Sequence, residues 1–147
     1  MIALGCDHGG YALKEKIKEY LKGQRMEFKD FGCYSRDSVD YPEFAKDVAK
    51  AVQSGEYKRG ILICSTGIGI SIAANRFKGI RAAVCTETYS AKMTRLHNDA
   101  NILCLGGMIT GENMAYEIID TFLTTPFSKE EKHSRRISTI ELSTTEK

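Results

Sequence analysis

The sequence predicts an α/β protein of three layers, in which helices cover both faces of a five-stranded parallel sheet. Five short apolar runs lack the alternation of apolar and polar residues, which is typical of parallel strands buried on both faces. Between consecutive runs lie segments with apolar residues at helical spacing. Because strand and helix alternate along the chain, right-handed crossovers and a doubly wound sheet follow.

The predicted strands are short, and glycine or polar residues follow nearly all of them. The strands fall at residues 2–6, 27–30, 60–64, 81–85 and 102–105. In a doubly wound sheet the functional site lies at the carboxyl ends of the strands. Catalytic or binding residues are therefore expected in the turns that follow the strands.

The predicted helices are amphipathic, and glycine or proline marks several of their ends. Their apolar stripes fall within residues 13–21, 44–52, 68–77, 90–96 and 115–123. A last helix is expected within residues 128–147, with Ile137 and Ile140 as its apolar contacts. Because so thin a stripe is typical of a helix that packs on another chain, we expect this helix to lie on a neighbouring subunit. Residues 143–147 are expected to be frayed.

Length and composition fit a single domain that spans residues 1–147. The formal net charge of +2, without a block rich in lysine and arginine, argues against a nucleic-acid partner. No apolar run approaches the roughly 20 residues of a membrane span, and no signal-peptide pattern occurs. Five cysteines without a CxxC pair indicate reduced thiols and a cytoplasmic protein.

A glycine-rich turn follows the third strand and opens a helix. Gly67 and Gly69 let the backbone approach a ligand closely, and the unpaired N–H groups of a helix start attract anions. The pattern is neither a Walker A loop nor a complete GxGxxG. A tight turn without a ligand therefore remains the alternative.

Cys64 ends the third strand directly before this turn. A helix N-terminus lowers a thiol pKa from about 8.5 toward neutrality, and the thiolate can then act as a nucleophile or a base. The alternative is a buried cysteine that serves as a small apolar residue. That alternative is the interpretation we prefer for Cys6, Cys85 and Cys104.

Two histidines stand where a strand begins or ends. His8 follows Asp7 after the first strand, and His97 precedes Asn98 before the fifth. An isolated histidine is commonly a surface or capping residue, but two of them with Cys64 favour a catalytic site. No metal site is expected, because these residues lack a local ligand spacing such as HExxH.

The charged segment near the C-terminus admits two interpretations. A solvated helix start is the simpler one. Lys132 and Arg136 are four residues apart, however, so that both cations would share a helical face that suits a phosphate. Tyr41, at another predicted helix start, is either structural or a residue that lines the pocket.

Several motifs together resemble the ribose-5-phosphate isomerase B family, which shares a superfamily with the galactose-6-phosphate isomerase subunits. They are GCDHGG at 5–10, DYP at 40–42, ILICSTGIGISIAANRFKGIRA at 61–82, YSA at 89–91 and RLHNDAN at 95–101. The resemblance runs to about residue 140. It implies a Rossmann- or flavodoxin-like fold, a sugar-phosphate substrate, no cofactor, and a homodimer or tetramer with sites at the subunit interface.

The resemblance also implies roles for individual residues. Cys64 would be the base that moves a proton between C1 and C2 through a cis-enediolate, with Thr66 supporting the thiolate. His97 would open the furanose ring. Asn98 and the backbone of the turn would stabilise the enediolate oxygen, and Arg136 would reach the phosphate from the neighbouring subunit. The substrate-binding residues implied in this way are Asp7, His8, Tyr41, Ser65, Gly67, Ile68, Gly69, Ile70, Asn98, Lys132 and Arg136.

Three residues depart from the family pattern. Ser65 stands where glycine is common, while Lys132 and Met108 stand where arginine is common. Because arginine binds phosphate through two parallel hydrogen bonds, these changes predict weaker phosphate binding. They lead to the hypothesis that other sugars, including free aldohexoses such as allose, are accepted.

Three alternative functions stay open at this stage. The first is an isomerase of a hexose phosphate such as allose-6-phosphate or galactose-6-phosphate. The second is a non-catalytic module that binds a nucleotide or phosphate, which would leave Cys64 and His97 unused. The third is a thiol redox protein, which is disfavoured because no partner cysteine lies near Cys64 in the sequence.

Overall fold

The computed structural model describes residues 1–143, so residues 144–147 of the segment expected to be frayed lie outside it. The strands are β1 (Ile2–Cys6), β2 (Phe28–Asp30), β3 (Arg59–Cys64), β4 (Ala82–Val84) and β5 (Ile102–Gly106). The helices are α1 (Tyr11–Gly23), α2 (Tyr41–Gln53), α3 (Ile68–Ala74), α4 (Thr88–Asn98), α5 (Glu112–Thr124) and α6 (Glu131–Ser143). In this part of the chain, no helix is long and apolar enough to cross a membrane.

The five strands form one parallel sheet in the order β2-β1-β3-β5-β4. From β1 the chain winds outward in one direction to β2 and in the other to β3. The carboxyl ends of β1 and β3 therefore form the point where the winding direction reverses, which is where such sheets bind ligands. In the register, Cys6 pairs with Ile63, and Cys64 pairs with Gly106.

Apolar side chains fill both faces of the sheet, as the sequence predicts. On one face Ile17 of α1 and Phe122 of α5 are fully buried against β1, β3 and β5. On the other face Val48 of α2 and Ile70 of α3 are fully buried. Burying a side chain of this size stabilises the fold by about 1.5–3 kcal/mol.

The bounds of β4 and α3 differ from the prediction. β4 has three residues rather than five. At its start, the backbone N–H of Arg81 donates to the side-chain oxygen Asn101 Oδ1 at 2.9 Å. α3 ends at Ala74 rather than at Phe77. The residues after α3 turn more tightly than an α-helix, because Phe77 N–H donates to Ala74 O, three residues back, at 3.2 Å.

α6 packs on α4 of its own chain. His133 is the buried residue of this helix, whereas Ile137 is half-buried and Ile140 is exposed. The expectation that Ile140 forms an apolar contact is therefore only partly met, since it lies at the edge of a crevice of about 360 Å³. Packing of α6 on a neighbouring subunit stays a prediction.

Candidate active site

The turn after β3 holds the thiol of Cys64, whose residue is only 5% exposed. Gly67 N–H donates to Cys64 Sγ, with an N···S distance of 3.1 Å. Gly67 has a φ of +78° and is the N-cap of α3. A Cβ at this position would also lie 2.9 Å from the carbonyl carbon of Leu105. The turn that presents an N–H to the sulfur therefore needs glycine for two reasons.

Gly67→Ala is expected to lower both stability and activity. Gly55 has a similar φ of +83° but open space where a Cβ would stand, so Gly55→Ala is a matched control. The control should cost about 1 kcal/mol from backbone strain alone. Gly67→Ala should cost roughly 2–4 kcal/mol, because the collision with β5 adds to the strain. Unfolding by denaturant measures the loss in the free energy of unfolding for each of the two variants. Equal losses would show that the collision with β5 adds nothing.

Thr66 and Ser65 flank the thiol without bonding to it. Thr66 Oγ1 accepts from Ile68 N–H at 3.2 Å, so it supports the start of α3. A hydroxyl that accepts a hydrogen bond can still donate its own proton, so the support of the Cys64 thiolate that the resemblance implied for Thr66 stays a prediction. The hydrogen bond that the sulfur accepts comes from Gly67.

Asp7 and His8 follow β1 at the same edge of the sheet. Asp7 is buried, and its Oδ1 accepts from Gly9 N–H at 2.9 Å and from Gly10 N–H at 3.2 Å. His8 is exposed, and its Nδ1 accepts from Val39 N–H at 3.2 Å. The proton of a neutral His8 ring therefore lies on Nε2, the nitrogen available to a ligand.

Three turns at this edge pack directly against one another. A Cβ on Gly9 would lie 2.1 Å from Ser65 Oγ, and one on Gly107 would lie 2.5 Å from Gly9 O. Met108 N–H donates to Ser65 O at 3.0 Å. The hydroxyl of Ser65 thus lies against backbone. The turns after β1, β3 and β5 form one continuous floor.

Tyr41 closes one side of this floor. It is the first residue of α2, and a Cβ on Gly69 would lie 2.8 Å from Tyr41 Cζ. The ring therefore covers the first turn of α3 closely. Tyr41 thus borders the glycine turn, and the contact with the sugar that the resemblance implied for it stays a prediction. The floor is rimmed by exposed apolar side chains, namely Ile68, Ile72, Met108 and Ile109.

His97 and Asn98 lie at the opposite edge of the sheet from Cys64. α4 runs antiparallel to the strands, and its eleven residues span roughly 16 Å. Its last turn is therefore beside the amino ends of the strands, where Arg81 Nε donates to Asn98 O at 2.8 Å. One chain does not bring His97 next to Cys64. The sequence predicts one site that contains both His97 and Cys64, whereas a single chain holds them at opposite ends of the strands.

The charged residues of α6 belong with this second group. The rings of His97 and His133 stack, with centroids 4.2 Å apart and 14° between their planes. Since α6 packs on α4, Lys132 and Arg136 also lie far from the glycine turn, and both are exposed. Lys132 Nζ is 3.7 Å from Glu130 Oε2, a surface ion pair.

The other thiols have the environment of apolar core residues. Burial raises the pKa of Cys85 to about 11 and holds the pKa of Cys104 well above its ordinary value. Burial likewise raises the pKa of Cys6. These thiols are protonated at neutral pH, as expected for small apolar residues. All five cysteines are free. Among residues 1–143, no group of three or more His, Cys, Asp or Glu side chains could hold a metal ion.

Comparison with known proteins assigns the family. A family model described as Ribose/Galactose Isomerase matches residues 2–140. The chain belongs to this isomerase family. Ribose-5-phosphate isomerase B of Escherichia coli K12 is 47% identical over 139 residues, which cover 95% of this chain and 93% of that relative.

Solved structures agree with this assignment. Ribose-5-phosphate isomerase B of Clostridium thermocellum matches with a TM-score of 0.96 and 51% identity, covering 99% of this chain and 97% of that chain. The Thermotoga maritima enzyme matches with a TM-score of 0.94 and 50% identity, covering 96% and 97%. The predicted fold and the predicted resemblance are confirmed. The isomerase is of the aldose–ketose type, which disfavours the non-catalytic and redox alternatives.

Sequence reasoning missed His133 of the isomerase. It lies in the charged segment for which a solvated helix start is the simpler interpretation, yet it is the buried residue of α6. A signal was present, because His133, Ile137 and Ile140 are spaced i, i+4 and i+7 and share one helical face. This face of α6 therefore begins at His133, one turn before its first apolar residue, Ile137.

Proposed function

We propose that this isomerase interconverts ribose-5-phosphate and ribulose-5-phosphate, with Cys64 as the base. The observation that carries the proposal is the placement of the Cys64 thiol. It ends a central strand at the switch point of the sheet and receives the Gly67 N–H at 3.1 Å. A backbone N–H is a suitable hydrogen-bond donor to a thiolate. Relatives named for this reaction cover nearly the whole chain.

The chemistry needs one base and one stabiliser of negative charge. The Cys64 thiolate takes the C2 proton of the open aldose, and the electron pair moves onto the carbonyl oxygen to give a cis-enediolate. The thiol then returns the proton to C1, and a proton moves between the two oxygens, which gives the ketose. General base catalysis supplies about 10²–10⁴-fold. First-turn N–H groups of Gly69 and Ile70, which have no helical acceptor, can add about 10²–10³-fold at the oxyanion.

A second copy of the chain completes the site in this proposal. The floor carries Cys64, Asp7 and Tyr41, whereas ring opening and phosphate binding are assigned to His97 and Arg136 at the other edge. The exposed apolar rim of the floor, with Ile68 and Met108 in it, is the kind of surface that a partner covers. A homodimer, alone or within a tetramer, would place the second group of one chain over the floor of another.

Asp7 and His8 are proposed to bind the sugar phosphate at the floor. Asp7 Oδ1 is engaged by the backbone of its own turn, so Oδ2 is the oxygen left for substrate hydroxyls. His8 would donate from Nε2 to the phosphate. Lys132 and Arg136 supply positive charge from α6. We also infer a cytoplasmic location, because all five cysteines are free thiols.

An isomerase of hexose phosphates, or of free aldohexoses such as allose, is the second candidate. It is favoured by Met108, which is 78% exposed and whose backbone N–H bonds to Ser65 O at the floor. An uncharged side chain there leaves the phosphate with fewer donors. Comparing kcat/KM for ribose-5-phosphate, allose-6-phosphate, galactose-6-phosphate and allose decides between the candidates. A preference for ribose-5-phosphate by several decades supports the pentose phosphate.

Met108→Arg is expected to lower KM for ribose-5-phosphate by about fivefold to tenfold, because a guanidinium can pair with phosphate through two hydrogen bonds. kcat and the turnover of unphosphorylated ribose should stay unchanged. Steady-state kinetics on both sugars measures the effect, with Met108→Gln as an uncharged control. An unchanged KM in the arginine variant would show that this position does not face the phosphate.

A further inference from the structure

The stacked rings of His97 and His133 suggest a second functional histidine. His133 is 7% exposed, although its helix is otherwise exposed or half-buried among the described residues. Its ring lies face to face with that of His97, at 4.2 Å between centroids. Only His97 has a role in the proposed reaction, so the buried partner needs an explanation.

We propose that His133 is a positioning residue that fixes the plane of the His97 imidazole for ring opening. This inference rests on the proposed function, in which His97 transfers the proton of the furanose ring. The χ2 torsion of a histidine is broad, so a ring without a neighbour samples many orientations. A flat partner on one face restricts the ring while it leaves both nitrogens, which lie on the ring edge, available to substrate.

The stack is fixed where α6 meets α4. Ser128 N–H donates to Leu96 O at 3.2 Å, which ties the segment before α6 to the residue before His97. Near the end of α6, Arg81 Nη1 donates to Glu141 Oε1 at 2.6 Å while its Nε holds Asn98 O. Both anchors hold α6 against the last turn of α4. The stack lies between them, so the two helices are held at the separation at which the rings stack.

The charges around His133 favour a neutral ring. Burial lowers the pKa of His133, and His97, Lys132 and Arg136 lower it further, against Glu130, which raises it. Because that pKa is below its ordinary value, His133 stays neutral at pH 7 and gains a proton only in more acidic solution. Two imidazolium rings at stacking distance repel, so activity should fall as His133 becomes charged.

The test distinguishes the effect of the flat shape of the His133 ring from the effect of its protonation. His133→Phe keeps a flat partner without a proton, His133→Ala removes the ring, and Arg135→Gln removes an exposed charge of the same helix as a control. We expect His133→Ala to lose about tenfold in kcat/KM for ribose-5-phosphate, since misplacement of a reacting group costs this much or more. His133→Phe should stay within about threefold of wild type and should lose less activity at acidic pH.

Nuclear magnetic resonance gives a readout that does not depend on turnover. The chain has three histidines, so single variants assign each imidazole signal. In wild type the His97 signal should show a second inflection in the acidic range where His133 titrates. In His133→Phe that inflection should vanish.

Each outcome decides one of the two claims. A single His97 inflection in wild type, or equal kcat/KM for wild type and His133→Ala at every pH, would overturn the positioning role. If His133→Ala is too unstable to measure, His133→Phe and the wild-type titration still decide it. If wild type fails to convert ribose-5-phosphate, the proposed function fails, and the titration alone decides whether His133 acts on His97.

Discussion

Cys64→Ala is expected to lower kcat for ribose-5-phosphate isomerisation by about 10³-fold or more, with KM within about threefold of wild type. The thiolate acts on the C2 proton in the transition state, so its removal acts on kcat rather than on binding. The expected loss is of the size that general base catalysis supplies. Initial rates of ribulose-5-phosphate formation measure it.

Cys85→Ala is the matched control for this experiment. Cys85 is also buried and follows β4, but burial raises its pKa to about 11, so it is a protonated thiol at neutral pH. We expect this variant to keep wild-type kcat within about threefold. Turnover that survives in Cys64→Ala would assign the base to another residue. Equal losses in both variants would indicate damage to the fold rather than to catalysis.

Mixing Cys64→Ala chains with His97→Asn chains is expected to restore activity that neither variant has alone. If each site takes Cys64 from one chain and His97 from its partner, a mixed dimer has one intact site and one doubly altered site. Random pairing makes half of the dimers mixed, so activity should reach about one quarter of wild type. Subunits exchanged by unfolding and refolding together provide the measurement.

The double variant, with Cys64→Ala and His97→Asn on one chain, controls this experiment. Mixed with an equal amount of wild type, it should leave about one quarter of the activity of the same total amount of wild-type protein, because mixed dimers then have no intact site. If both residues of a site came from one chain, the double variant would leave about half instead. The two single variants would then restore nothing.

The sheet was predictable because its strands are short apolar runs such as β1 and β3. A buried parallel sheet lets such runs pair their backbone N–H and C=O groups and bury their apolar side chains at the same time. The edge strand β4 was harder to delimit. Arg81 looks like the start of a strand, but its backbone N–H donates to the side-chain oxygen Asn101 Oδ1 at 2.9 Å. A side chain that takes the place of a strand partner does not appear in local sequence patterns.

The two halves of the candidate site differ in how far the sequence predicts them. Cys64 and the glycine turn form a local strand–turn–helix unit, which the spacing indicates as a candidate site. The separation of His97 from Cys64 follows from the place of His97 directly before β5, because a residue that precedes a parallel strand lies at the amino ends of the strands. Burial of His133 depends instead on where α6 docks, which is a tertiary property that local spacing does not determine.

The reaction proposed for this isomerase uses a thiolate to convert ribose-5-phosphate through an enediolate. Its most direct test is proton NMR of ribose-5-phosphate incubated in D₂O with wild-type protein and EDTA. We expect signals of ribulose-5-phosphate with deuterium entering at C1, because the proton held by Cys64 exchanges with solvent. Absence of any ketose, or conversion with the C2 hydrogen of the aldose fully retained at C1, would contradict it.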